Sequence, residues 1–183
     1  MKKVYVFLAD GFEEIEGLTV VDILRRAGVE TETISVMKRK QILGAHDILV
    51  EADSLFEETD LEGADMLVLP GGMPGTLHLK EHEGLRECLL TSCSQGKHLA
   101  AICAAPSVLS DLGLLKGKKA CSYPSFEDQL DCANVLRVPA VTDGNITTGR
   151  GMGAAIPFAL ELTGILCGKE KAEEVKKSIV YEG

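Results

Sequence analysis

The chain has no tryptophan, and aromatic residues make up only 4% of its 183 positions. A base-stacking surface for single-stranded nucleic acid needs such rings, so that class of partner is disfavoured. Positive charge is also scarce, with 19 Lys and Arg against 28 Asp and Glu, a net of −9. That balance repels nucleic acid and anionic membrane alike. The one basic run, Lys38-Arg39-Lys40, reads as a hairpin tip or solvated loop. No apolar run approaches the roughly eighteen residues of a membrane span. The apolar stretch behind Met1-Lys2-Lys3 ends at Asp10. It is too short for the apolar region of a signal peptide, so the expected location is the cytoplasm. No Pro/Gly/Ser-rich linker and no repeat divides the chain, and its length suits one domain, residues 1–183.

Other absences concern chemistry. Six cysteines are present (Cys88, Cys93, Cys103, Cys121, Cys132 and Cys167), but none are spaced C-x-x-C. That argues against a zinc knuckle or a dithiol redox motif. His78 and His82 lie four apart but lack the HExxH order, so they read as a solvated helix end and no metal is expected. Pro70-Gly71-Gly72 is followed by no Gly-Lys-Ser/Thr, so it is no Walker loop. Gly149-Arg150-Gly151-Met152-Gly153 only superficially resembles a dinucleotide loop, because helices rather than a strand with an acidic residue follow it. Its glycines read as close packing, with Arg150 a candidate anion contact.

What is present is alternation. Residues 3–8, 32–37, 65–69 and 98–102 are short apolar runs that read as buried strands. Gln41–Leu43 and Asp47–Val50 suggest a hairpin. Ala120–Ser122 is a further short strand, and 137–142 and 145–148 a pair broken at Asp143-Gly144. Between them, 13–27 (closed by Gly28), 81–95, 106–112, 152–166 and 169–180 read as helices. Strand–helix alternation implies a doubly wound, mostly parallel α/β sheet of flavodoxin-like type with helices on both faces. Ligands of such sheets sit beyond the carboxyl ends of the strands. Three segments meet there: Asp10–Glu16, Pro70–Thr76 and the turn at Cys103.

Cys103 joins an apolar strand directly to a helix. Ala101 and Ala105 are small where a nucleophile elbow demands it, and Pro106 suits a first helical turn. A thiol at a helix N-terminus is expected to have a lowered pKa. The Ala104 N–H points toward the same place, and Gly72 is a candidate second oxyanion donor. Glu16 heads an apolar helical stripe with Val20, Ile23 and Ala27, so its carboxyl is expected to be desolvated and its pKa raised. The alternative is an ordinary helix-start acid such as Glu13 or Glu14. Asp22, among apolar neighbours, needs a partner, provisionally one across a dimer.

The segments Ala9-Asp10-Gly11-Phe12-Glu13-Glu14-Ile15-Glu16, Leu69-Pro70-Gly71-Gly72, Ala100-Ala101-Ile102-Cys103-Ala104-Ala105-Pro106 and Gly149-Arg150-Gly151-Met152-Gly153 together resemble the DJ-1/PfpI (ThiJ/PfpI) superfamily, most of all its DJ-1 branch. The resemblance implies a homodimer and an oxidation-sensitive nucleophile at Cys103. It also implies a protonated carboxyl at Glu16 and an oxyanion hole at Gly72 and Ala104, with Gly71, Tyr123, Arg150 and His46 around the pocket. Leu18, Val21 and Leu24 fit a first helix buried on two sides. The chain departs from the pattern at Tyr123, where many relatives carry His. Its four histidines, His46, His78, His82 and His98, all precede Cys103. Ala104 stands where the protease-like branch has its His. Protease and glutaminase chemistry therefore lose their general base. The resemblance implies a cofactor-independent enzyme for small reactive carbonyls, converting methylglyoxal to lactate or removing early glycation adducts. The rival is an oxidative-stress sensor or redox-responsive chaperone built on the same Cys103. Nothing resembles a thiazole phosphate site.

Overall fold

The computed structural model describes residues 1–183. β1 (Lys3–Leu8) pairs in parallel with β2 (Glu30–Ser35) on one side and β6 (Met66–Leu69) on the other. β7 (His98–Ile102) follows β6, and β11 (Ile146–Gly149) follows β7, both parallel. β5 (Ser54–Leu55) extends the β2 edge in parallel. β10 (Ala140–Asp143) closes the other edge antiparallel to β11, around Gly144 at φ +62°. The order is β10-β11-β7-β6-β1-β2-β5. β3 (Gln41–Leu43) and β4 (Leu49–Glu51) form a separate antiparallel hairpin. β8 (Lys119–Ala120) and β9 (Asn134–Val135) form a small parallel pair.

Alternation along β1 divides the core in two. Tyr5 and Phe7 face one side, where they pack with Leu79, Leu85, Leu89, Val108 and Leu109. Those residues belong to α2 (Gly75–Glu81), α3 (Glu83–Ser94) and α4 (Pro106–Asp111). Val4, Val6 and Leu8 face the other side, against α1 (Glu14–Arg26), α5 (Ala155–Cys167) and α6 (Lys169–Ser178), through Val20, Leu24, Phe158, Leu162 and Val175. Burying each such side chain contributes about 1.5–3 kcal/mol. No helix is long and apolar enough to cross a membrane.

Several boundaries differ from the sequence reading. The helix expected over 81–95 is two helices. His82 leaves the helical conformation (ψ 100°), and its ring nitrogen Nδ1 accepts the Leu85 N–H at 3.0 Å, which starts α3. The His82 ring also packs on Phe56 at 4.5 Å, so it is a cap rather than a solvated end. The second strand lies two residues earlier than expected. It stops at Ser35, whose hydroxyl donates to Arg39 C=O and accepts the Met37 N–H, turning the chain out of the sheet.

Candidate active site

β7, β6 and β1 are adjacent, so the loops leaving their carboxyl ends must meet. These loops carry Cys103, Pro70-Gly71-Gly72 and the start of α1. Cys103 sits at φ +66°, a conformation that is strained for a side chain with a Cβ. Its N–H donates to Gly149 C=O at 3.0 Å, and its C=O accepts the Tyr123 N–H at 2.8 Å. The turn is therefore held from β11 and from the segment after β8. The thiol is partly exposed.

Glu16 is fully buried. Its Oε2 accepts the Gly71 N–H at 2.9 Å, while Oε1 is buried without a hydrogen-bond partner of regular geometry. Burial raises the Glu16 pKa to about 7, although contacts with Cys103 and the Gly71 N–H pull the other way. The Glu16 carboxyl is thus desolvated, as the apolar stripe predicts. Gly71 is the spacer: a Cβ there would lie 2.5 Å from Cys103 Cβ and 2.7 Å from Glu16 Oε2. Gly72 has φ +90°, and a Cβ on it would meet Glu13 N at 2.3 Å.

The N–H groups of Gly72 and Ala104 are not taken by any main-chain carbonyl, and both act on the Cys103 sulfur. The thiol pKa is nevertheless not lowered. Burial, then the Glu16 charge and its hydrogen bond, push Cys103 up to about 12 against those two N–H groups. Burial and the Glu16 charge outweigh the lowering expected at a helix N-terminus.

The other expected residues are placed unequally. Tyr123 borders the site through its main chain and is half exposed. Arg150 faces a carboxylate of its own chain. Its Nη2 lies 3.7 Å from Glu127 Oε1, and Arg137 Nη2 lies 3.2 Å from Glu127 Oε2. Of the nearby glycines, Gly149 is close-packed, 2.8 Å from a Phe158 carbon and 2.9 Å from Ile102 were a Cβ present. Gly153 has open space, so the close-packing reading holds only in part.

His46 approaches the acids of its own chain. Its N–H donates to Glu14 Oε1 at 2.8 Å, and its Nδ1 lies 3.0 Å from Glu14 Oε2 and 3.5 Å from Glu13 Oε2. Burial alone would raise Glu14, but main-chain N–H groups and the His46 ring outweigh it, so its pKa is lowered. The same hydrogen bond to Glu14, with the charge of Glu13, raises His46. Glu14 is therefore the buried anchor of the β3–β4 hairpin rather than an ordinary helix-start acid. The sequence reading missed this role, and no local pattern signals it. Asp22 needs no partner across a dimer: it is exposed and pairs with Arg26 one turn on. Val21 and Leu24 are buried within the subunit, whereas Ile15 and Leu18 face outward.

A mostly parallel α/β sheet with a strained cysteine at a strand–helix turn, two N–H groups free of main-chain partners and a buried acid defines a flavodoxin-like nucleophile-elbow protein. Residues 2–164 match the DJ-1/PfpI family, and the chain belongs to that family. It is 36% identical to protein dj-1beta of Drosophila melanogaster, over 98% of this chain and 97% of that one. It is 34% identical to a protein of Pyrococcus abyssi named as a deglycase, over 90% of this chain and 99% of the relative. Protein DJ-1 homolog A of Arabidopsis thaliana is 37% identical over 98% of this chain, which spans only 46% of that longer protein. The solved structure of oxidized Toxoplasma gondii DJ-1 superposes with a TM-score of 0.96 at 37% identity, each chain covered completely.

Proposed function

We propose that this protein is a cofactor-independent cysteine enzyme acting on small reactive carbonyls, by glyoxalase III-type conversion of methylglyoxal to lactate or by deglycation. The observation that carries the reading is the juxtaposition of Cys103, Glu16 and the free N–H groups of Gly72 and Ala104. The deglycase named among its relatives supports it.

As Cys103 Sγ attacks the aldehyde carbon, its proton passes to the Glu16 carboxylate and the carbonyl π electrons move to oxygen, giving a hemithioacetal oxyanion that Glu16 then protonates. The Gly72 and Ala104 N–H groups hold that oxygen. For methylglyoxal, a proton then leaves the former aldehyde carbon and one returns to the adjacent carbon through an enediol. Glu16, with a pKa near working pH, both accepts and donates. Water releases lactate from the resulting thioester and restores the thiol. No electron leaves the substrate overall, so no redox cofactor is needed. The test is lactate formation from methylglyoxal by purified protein without added metal, cofactor or thiol, beside Cys103→Ala. Lactate from wild type alone supports the reading, and none from either removes the glyoxalase reaction and leaves deglycation to be assayed.

The second reading is an oxidation sensor or redox-responsive chaperone. The same two N–H groups and a protonated Glu16 could hold the oxygens of a Cys103 sulfinate. Peroxide treatment followed by mass spectrometry decides it, since selective oxidation of Cys103 is required. We place the protein in the cytoplasm, and we propose a homodimer through the outward face of α1, where Ile15 is 50% and Leu18 38% exposed.

A further inference from the structure

Near the Cys103 turn lies a concavity of about 570 Å³ that the proposed reaction leaves unused. Pro124, Val138, Pro139 and Met152 give it apolar walls, and Arg137 and Arg150 bring two guanidinium groups. It adjoins the Cys103 turn through short main-chain links. Tyr123, on its rim, donates its N–H to Cys103 C=O, and Cys103 donates to Gly149 C=O, the residue before Arg150.

The two arginines share one carboxylate, that of Glu127. Arg137 is within hydrogen-bonding reach of it, but Arg150 stands at 3.7 Å, beyond a hydrogen bond. Arg150 Nε and Glu127 Oε1 are both buried without partners. The local charge is thus one positive in excess, in a chain whose net charge is −9. A general basic character does not explain that excess.

We propose that this concavity is a subsite for an oxyanion, a carboxylate or phosphate monoester, carried by the molecule whose carbonyl reaches Cys103. Only the carbonyl half of this statement rests on the function proposed above; the anion half rests on the arginine geometry. Planar guanidinium groups match oxyanions with paired hydrogen bonds, and the partly buried Arg150 is the less screened of the two. A neutral three-carbon carbonyl gives the Arg150 guanidinium no acceptor. The substrate class the site fits best is therefore an α-oxoaldehyde with an acidic group at its far end.

The test titrates inorganic phosphate and, separately, acetate into the full-length protein at constant ionic strength. The readout is the arginine side-chain ¹H–¹⁵N signals. Saturable shifts of Arg137 and Arg150 are expected. Arg150→Met should weaken binding about tenfold or more, the loss of one charge-assisted contact. Glu127→Gln, which removes the competing carboxylate, should tighten it several-fold. Shifts that follow salt alone, or affinities unchanged in both variants, overturn the subsite.

A second measurement is the ratio of kcat/KM for an α-oxoaldehyde ending in a carboxylate to that for methylglyoxal. This ratio should fall about tenfold in Arg150→Met, and an unchanged ratio counts against the subsite. If no carbonyl turns over at all, the enzyme reading fails while the phosphate titration still decides the subsite.

Discussion

Glu16 and Cys103 meet across Gly71, and they can do so only because Gly71 has no side chain. Its N–H holds Glu16 Oε2 at 2.9 Å, and the space of its missing Cβ is the gap between acid and thiol. One backbone position therefore both anchors the acid and leaves room for the thiol beside it.

Gly71→Ala should disable the site with little change elsewhere. The new methyl would lie 2.5 Å from Cys103 Cβ and 2.8 Å from Ile102 C=O, neither of which is a flexible chain end. Overpacking of this kind costs about 1–3 kcal/mol. Thermal unfolding should show that loss, and alkylation of Cys103 should depart from the wild-type pH profile. A variant matching wild type in both would remove Gly71 from its role as spacer.

Glu16→Gln should alter how stability depends on pH. The folded-state pKa of about 7 lies above the ordinary 4.5, so between these values the folded chain keeps a proton that the unfolded chain releases. Stability therefore falls as pH rises through this window, by roughly 3 kcal/mol in all. The variant lacks that fall. Its melting temperature relative to wild type should climb from about pH 4.5 to about pH 7 and then level off. A constant difference across the range would contradict the assignment.

The same substitution should move the alkylation of Cys103. Glu16 and Cys103 titrate as a pair whose first proton leaves near pH 7 and whose second leaves near 12. Burial and the Glu16 charge together hold the Cys103 thiol up, so iodoacetamide labelling of wild type should rise only in alkaline solution. In Glu16→Gln the charge and its hydrogen bond are gone, and the rise should move to lower pH while burial still keeps it above the ordinary thiol range. Identical profiles would uncouple the two residues.

The β3–β4 hairpin should loosen at both ends of the pH scale. The lowered pKa of Glu14 contributes stability that is lost as pH falls through its folded-state value. The raised pKa of His46 contributes stability present below 6.5 and lost as pH rises through its folded-state value. Local opening of Ile42–Leu43, read by hydrogen exchange corrected for intrinsic rate, should be rarest in mildly acidic solution. Glu14→Gln should flatten the dependence. A profile already flat in wild type would show that the latch carries no load.

Tyr123→His places an imidazole next to the Cys103 turn. The Tyr123 contact to Cys103 is made by the main-chain N–H, so the turn should survive the exchange. Carbonyl turnover should increase, since an imidazole supplies a general base that the site otherwise draws from Glu16 alone. Equal or lower kcat/KM with an intact fold would show that Glu16 suffices.

Periodicity exposed the strands, most of the helices, the elbow at Cys103 and the burial of Glu16. Each of these depends on residues close together in the chain. Ala101, Ala105 and Pro106 frame the turn, and Val20 and Ile23 share the stripe of Glu16. The break at His82 was hidden because a ring nitrogen capping an N–H leaves no mark in apolar spacing. Glu14 looked like Glu13 until the hairpin, some thirty residues away, delivered His46 and the Ile48 N–H to it. Arg137 and Glu127 gave no signal, since their pairing joins an irregular segment to a short 3-10 turn. The direction of the Cys103 titration was also beyond local reading. A helix N-terminus alone would lower it, and only the packed structure adds the buried carboxyl that raises it. The sequence by itself determined which backbone turns and which faces the chain must form, because steric preference and hydrophobic period act over a few residues. The tertiary structure decided which charges meet and at what pKa, because desolvation and Coulomb coupling depend on neighbours that the fold brings from far along the chain.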